Sequence, residues 1–193
     1  PESSKMYTWE ESKKIVLEAF GSFDDDFYNY ANLMFDENRI DGPSVPKKRG
    51  GAFCSSSIPG LNPYVLLNFT GKLRDVSTLA HELGHAIHSM LSNHRHLFNF
   101  HAILPLAETA SVFSEMLLTD LFLKNESDKS VKVALISSKL EDFFSTSHRQ
   151  NMFSRFEITA HETITRKLMS TDELCDLYFN ELKLMFGDAL TYS

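Results

Sequence analysis

A chain of 193 residues, 42% apolar and including 16 phenylalanines, is long enough to bury one substantial core. Its net charge of −7, with Lys47-Lys48-Arg49 as its only basic cluster, excludes nucleic acid as an expected partner, since such binding needs a basic stripe. No apolar run spans a bilayer and no signal-peptide pattern opens the chain; Cys54 and Cys175 fit no zinc-ribbon or redox spacing and read as buried or partly buried free thiols in a reducing cytoplasm.

The first helix signal is Thr8-Trp9-Glu10-Glu11, a capping box with Thr8 as N-cap. Ile15, Val16, Ala19 and Phe20 give its apolar face, and Gly21 ends it. A second helix starts at Ser22, carries Asp24, Asp25 and Asp26 in its first turn and buries Phe27, Tyr30, Ala31, Met34 and Phe35. Residues 39–51 are rich in Gly, Pro and charge and read as a loop that includes the basic cluster. Residues 52–57 and 63–70 read as strands, joined by the turn-rich Ile58-Pro59-Gly60-Leu61-Asn62. The expected fold is mainly α with a small antiparallel sheet. An exposed edge strand there suits the binding of an extended peptide through main-chain hydrogen bonds.

Asp75 or Ser77 caps the next helix, which runs to about Ser92 with Leu79, Leu83, Ala86, Ile87 and Met90 on its apolar side. The polar strip is His81, Glu82, His85 and His88, and its first three members spell H-E-x-x-H. Side chains at i and i+4 share a helix face, so the two imidazoles can reach one metal ion. Zinc accepts neutral imidazole and, in a catalytic site, takes a third protein ligand and leaves a position for water. Glu82 is placed to take a proton from that water. These residue types at this spacing point to metal-assisted hydrolysis.

His94, His96 and His101 follow in a loop, where a histidine can be a substrate contact or a metal ligand but is more often neither. The longer pattern H-E-x-x-H-x-x-G-x-x-H is excluded, because its glycine and third-histidine positions hold His88 and Leu91. Pro105 opens another helix. Glu108, 23 positions after His85, is the expected third ligand, with Glu115 and His88 next in line. Glu115 lies seven positions further on the same face and reads either as an acceptor that orients a histidine N–H or as a helix salt-bridge partner. From Asp128 to Met169 the pattern is helical, with Val131, Leu135, Ile136, Leu140, Phe143, Phe144, Met152, Phe153, Phe156 and Ile158 expected to be buried. His148, Arg149, His161 and Glu162 take packed structural roles in this reading. Ser170-Thr171-Asp172-Glu173 caps a last helix that stops at Gly187.

With these residues assembled, the chain resembles the oligoendopeptidase F group of the thimet-oligopeptidase-like (M3) zinc metallopeptidase family. The resemblance rests on Lys48-Arg49-Gly50-Gly51-Ala52-Phe53, on residues 81–88, and on Pro105-Leu106-Ala107-Glu108-Thr109-Ala110-Ser111. It continues through Arg149-Gln150-Asn151-Met152-Phe153, Phe156-Glu157, Ala160-His161-Glu162 and Phe186-Gly187-Asp188-Ala189. It implies one zinc ion per chain held by His81, His85 and Glu108, Glu82 as general base, a helical bowl with a small sheet, and oligopeptide substrates. Ala52 and Phe53 fall on the segment that resembles the family's substrate-binding edge. The family also carries a longer helical region before this stretch and a histidine- and tyrosine-bearing segment after it, for which Tyr192 is too isolated to substitute. Residues 1–193 therefore read as one partial catalytic domain, expected to bind zinc and to hydrolyse peptides weakly or not at all when alone. Oligomeric state stays open, as does manganese or cobalt in place of zinc.

Overall fold

Thr8 caps the first helix as its sequence requires. Its hydroxyl accepts the Glu11 N–H at 3.2 Å, while the Glu11 carboxylate accepts the Thr8 N–H at 2.7 Å. In the computed structural model, which describes residues 5–191, this helix is α1, Trp9–Gly21. The second helix, α2, spans Asp25–Asp36 and is capped by Asp24, two residues beyond the expected Ser22. The Asp24 carboxylate accepts the N–H groups of Asp26 and Phe27 and so satisfies two of the orphan donors.

The sheet is mixed, not antiparallel. Strands β1 (Ile40–Pro43), β2 (Phe53–Ser55) and β3 (Tyr64–Phe69) lie in the order β1-β3-β2. β2 runs antiparallel to β3, as the two strand-like segments suggested, but β1 runs parallel to it with Ile40 opposite Val65. β1 falls in the stretch read as a loop. Gly42 and Pro43 disfavour a strand, yet at the sheet edge Pro43 needs no ladder partner for a missing N–H. The Trp9 ring occupies the space beside Gly42, where a Cβ would come within 2.6 Å of it. Lys48, expected to be solvated, instead donates to the carbonyls of Asp41 and Pro43 and to the Asp41 carboxylate, each at 2.9 Å.

Helix α3, Leu73–Leu91, begins before the expected caps. Asp75 still closes its end, from inside the first turn, by accepting the N–H groups of Lys72 and Thr70 and the Thr70 hydroxyl at 2.6–3.1 Å. Helix α4 spans Leu104–Asn125 with Pro105 in its first turn. The core of this first unit, which ends at Ser127, draws Val16 and Phe20 from α1, Met34 from α2, Leu67 from β3, Leu79, Leu83 and Ile87 from α3 and Leu118 from α4.

A second compact unit begins at Asp128. It holds α5 (Lys129–Phe144), one π-helical stretch at Ser145–Arg149, α6 (Gln150–Ile164) and α7 (Thr171–Phe186). Ser170 and Glu173 cap α7 reciprocally, and Arg155 pairs with the buried Glu181 at 2.8 Å. Met152 is buried as expected, but Val131, Ile136, Leu140, Phe143, Phe144 and Ile158 are exposed. Helical spacing identifies an apolar face without identifying what covers it, and a unit of a few helices has too little surface to cover all of its own. Cys54 is half-buried, whereas Cys175, on α7, is exposed. No helix among the described residues is long and apolar enough to cross a membrane.

Candidate metal centre

The apolar side of α3 fixes its polar strip. Val76, Leu79, Leu83 and Ile87 are sealed in the core, and the histidines sit on the remaining face. Helix α4 crosses at Gly84. A Cβ there would stand 2.5 Å from Ser114 Oγ, 2.7 Å from the Ala110 carbonyl oxygen and 2.9 Å from Ser111 Cα. Only a glycine lets the two backbones come this close. The approach brings carboxylates of α4 back to the motif.

Glu108 places one oxygen, Oε2, 3.3 Å from His81 Nε2 and 3.5 Å from His85 Nε2. Glu115 accepts from His81 Nδ1 at 2.7 Å. The two imidazole rings stand at 84° with centroids 4.9 Å apart. Glu82 is buried, and the backbone N–H of Cys54 in β2 reaches its carboxylate.

These placements set the electrostatics. Burial pushes the Glu82 carboxyl up to about 6; His81 and the Cys54 N–H pull it down, and the Glu108 charge adds to the rise. Burial also opposes a charge on His81, but the Glu115 hydrogen bond and the charges of Glu115, Glu82 and Glu108 outweigh it and raise that pKa. His85 is lowered, by burial first and then by His81 and His88, against the pull of Glu108. Burial, then the Glu82 charge, pushes the Cys54 thiol up to about 12.

The donor set fits a divalent metal. When neutral His81 donates from Nδ1 to Glu115, its Nε2 carries a lone pair that faces the Glu108 carboxylate. Two acceptors at that distance need a cation or a proton between them. Donor atoms of a tetrahedral zinc site, with bonds of about 2.0–2.2 Å, stand roughly 3.3–3.5 Å apart. His81, His85 and Glu108 all have ligand atoms within 4.8 Å of one another.

The structure therefore brings together His81, His85 and Glu108, with Glu115 behind His81 and Glu82 beside them. His88, half-buried one turn past His85, is outside the cluster, as are the exposed His94, His96 and His101. Ala52 is half-buried just before β2, and Phe53 is exposed on it beneath the Arg49 guanidinium at 5.8 Å. Tyr192 lies outside the described residues. Sequence reasoning missed three contributors: Gly84, the Cys54 N–H, and Ser111, whose hydroxyl reaches Glu108 Oε2 at 2.8 Å. The serine left a signal in its i+3 spacing from Glu108, on the same helix face.

Fold and site together define a class, helical proteins of the H-E-x-x-H type in which a carboxylate of the following helix faces the two motif histidines. The chain belongs to peptidase family M3, whose family model matches residues 23–192. It is 37% identical to an oligoendopeptidase F homolog of Borreliella burgdorferi over 83% of this chain and 28% of that protein. It is 33% identical to the chromosomal oligoendopeptidase F of Lactococcus lactis subsp. cremoris, over 91% of this chain and 29% of that one. The chain thus spans less than a third of the length of these relatives. Among solved structures, a Chlamydophila abortus protein assigned as a peptidase superposes with a TM-score of 0.78 at 31% identity, over 100% of this chain and 33% of that one. PZ peptidase A shares the fold at a TM-score of 0.78 and 16% identity, over 96% of this chain and 32% of that one.

Proposed function

We propose that this chain carries the zinc centre of a metalloendopeptidase acting on oligopeptides, with one Zn2+ held by His81, His85 and Glu108. The observation that supports this most is the single Glu108 oxygen facing both imidazole Nε2 atoms at 3.3 and 3.5 Å. A divalent metal supplies Lewis acidity at such a site, acidifying a water and polarising a carbonyl. Glu82 takes the proton of the attacking water as its oxygen bonds to the scissile carbon, and returns it to the amine as the C–N bond breaks. A carboxyl near 6 is ionised at neutral pH yet close enough to it to give the proton back. Glu115 holds His81 in one tautomer and orientation. The edge strand β2, with Phe53 at its start and Ala52 just before it, holds the peptide main chain. The reducing cytoplasm is the proposed setting for the two free thiols.

Metal analysis and a quenched fluorogenic oligopeptide test this. The expected result is one zinc per chain, and turnover that falls at least about 100-fold in Glu82→Gln with zinc retained. A folded chain without zinc, or turnover unchanged in Glu82→Gln, overturns it. Zinc and peptide binding without turnover in either form would favour a second reading, a zinc- and peptide-binding module.

A further inference from the structure

We infer that Ser111 is a positioning residue of the metal centre: its hydroxyl fixes the Glu108 carboxylate so that one oxygen faces both histidines. The inference rests on the zinc reading above. Glu108 needs such help. Its side chain is 53% exposed, against 26% and 20% for His81 and His85, so packing does not hold it. An unrestrained glutamate gives up rotamer freedom when it is fixed, so orienting an unsupported carboxylate carries an entropic cost.

Ser111 is fully buried, and its Oγ lies 2.8 Å from Glu108 Oε2 and 3.0 Å from the Glu108 carbonyl oxygen. One hydroxyl carries one proton. The carboxylate is the nearer acceptor and the charged one, so it takes that proton in the stronger bond. Oε2 is also the oxygen turned to both Nε2 atoms. A carboxylate oxygen offers two lone pairs, and a serine on one leaves the other free to point at the histidines.

The serine is itself fixed. Its Cα is one of the atoms packed against Gly84, at the centre of the H-E-x-x-H turn. A rigid path thus runs from the motif helix through Gly84 to Ser111, then to the Glu108 carboxylate and back to the imidazoles. This is how a half-exposed ligand gains a defined orientation without being buried.

The test measures zinc affinity by competition with a chromogenic chelator, beside the visible spectrum of the cobalt-substituted chain and the thermal unfolding of the metal-free chain. Ser111→Ala is expected to weaken zinc about 10–100-fold and to alter the cobalt bands, with the metal-free unfolding curve little changed. Ser111→Thr keeps the hydroxyl and is expected to restore most of the affinity. In a Glu108→Ala background, where no carboxylate remains to be positioned, Ser111→Ala is expected to change zinc affinity less than twofold. Wild-type affinity in Ser111→Ala, or an equal loss with and without Glu108, overturns the inference. Should Ser111→Thr fail to fold, the alanine pair decides alone. A wild-type chain that binds no zinc would instead sink the parent reading, which keeps the two failures distinct.

Discussion

Replacing Gly84 with alanine tests whether the centre is built by the approach of two helices. Two effects oppose each other. Alanine is favoured over glycine inside a helix by about 1 kcal/mol. Against this, the new Cβ would stand 2.7 Å from the Ala110 carbonyl oxygen and 2.9 Å from Ser111 Cα, roughly 0.5–0.7 Å short of the 3.4 Å of ordinary contact. These are backbone atoms and cannot swing aside, so α4 must move. Overpacking of this kind costs about 1–3 kcal/mol. The metal-free chain is expected to lose about 1 kcal/mol net in urea unfolding with a chelator present. Zinc affinity is expected to fall more than tenfold, because Glu108 rides on the displaced turn and ligand distances tolerate only about 0.2 Å. A Gly84→Ala chain that gains the helix-propensity increment and keeps its zinc affinity would refute the reasoning, since the helices then do not touch there.

Glu82 links the same site to pH. Its carboxyl is raised from 4.5 to about 6 by burial, so the folded chain penalises the charged form. The folded state takes up the Glu82 proton first as pH falls, so the Glu82 contribution to the stability of the metal-free chain rises between about 6 and 4.5. Above that window the cost is at most about 2 kcal/mol, so Glu82→Gln is expected to stabilise the metal-free chain by up to that amount at pH 7.5 and by nothing at pH 4. Equal differences at both pH values, measured by urea unfolding, would count against it. The thiols should also separate: Cys175 is exposed, while burial pushes Cys54 up to about 12. Mass spectrometry after brief iodoacetamide treatment should find Cys175 modified and Cys54 modified only on unfolding; rapid labelling of native Cys54 would contradict the placement of β2.

How legible each part was depends on the range of the interaction behind it. The capping boxes of α1 and α7 and the apolar stripe of α3 are local, and the spacing of Thr8 and Glu11 or of Leu79 and Leu83 shows them directly. The neighbourhood of His81, His85 and Glu108 was legible because helical geometry limits where a residue on the next helix can return. β1 was not legible, since Gly42 and Pro43 argue for a loop and only the distant Val65 and the Trp9 ring make a strand of them. The exposed faces of α5 and α6 were misread because periodicity shows amphipathicity, not what covers it. The Cys54 N–H was invisible because a backbone group has no letter of its own.

The helix pair explains why so few residues suffice. His81 meets Glu115 and His85 meets Glu108, so α4 runs back along α3 with Gly84 against Ser111 between them. Positions 108, 111 and 115 fall on one face of α4, as 81, 84 and 85 cluster on one side of α3. One seam therefore carries the Glu108 carboxylate that faces both imidazoles, the Ser111 hydroxyl bonded to it and the Glu115 carboxylate bonded to His81. Its rigidity comes from the core, where Leu79, Leu83 and Ile87 on the opposite side of α3, and Leu118 one turn past Glu115 on α4, are at most 1% exposed. The placement of the two imidazoles and the Glu108 carboxylate is thus set by core packing transmitted across one glycine. A substitution that loosens that core should weaken metal binding before it touches any ligand.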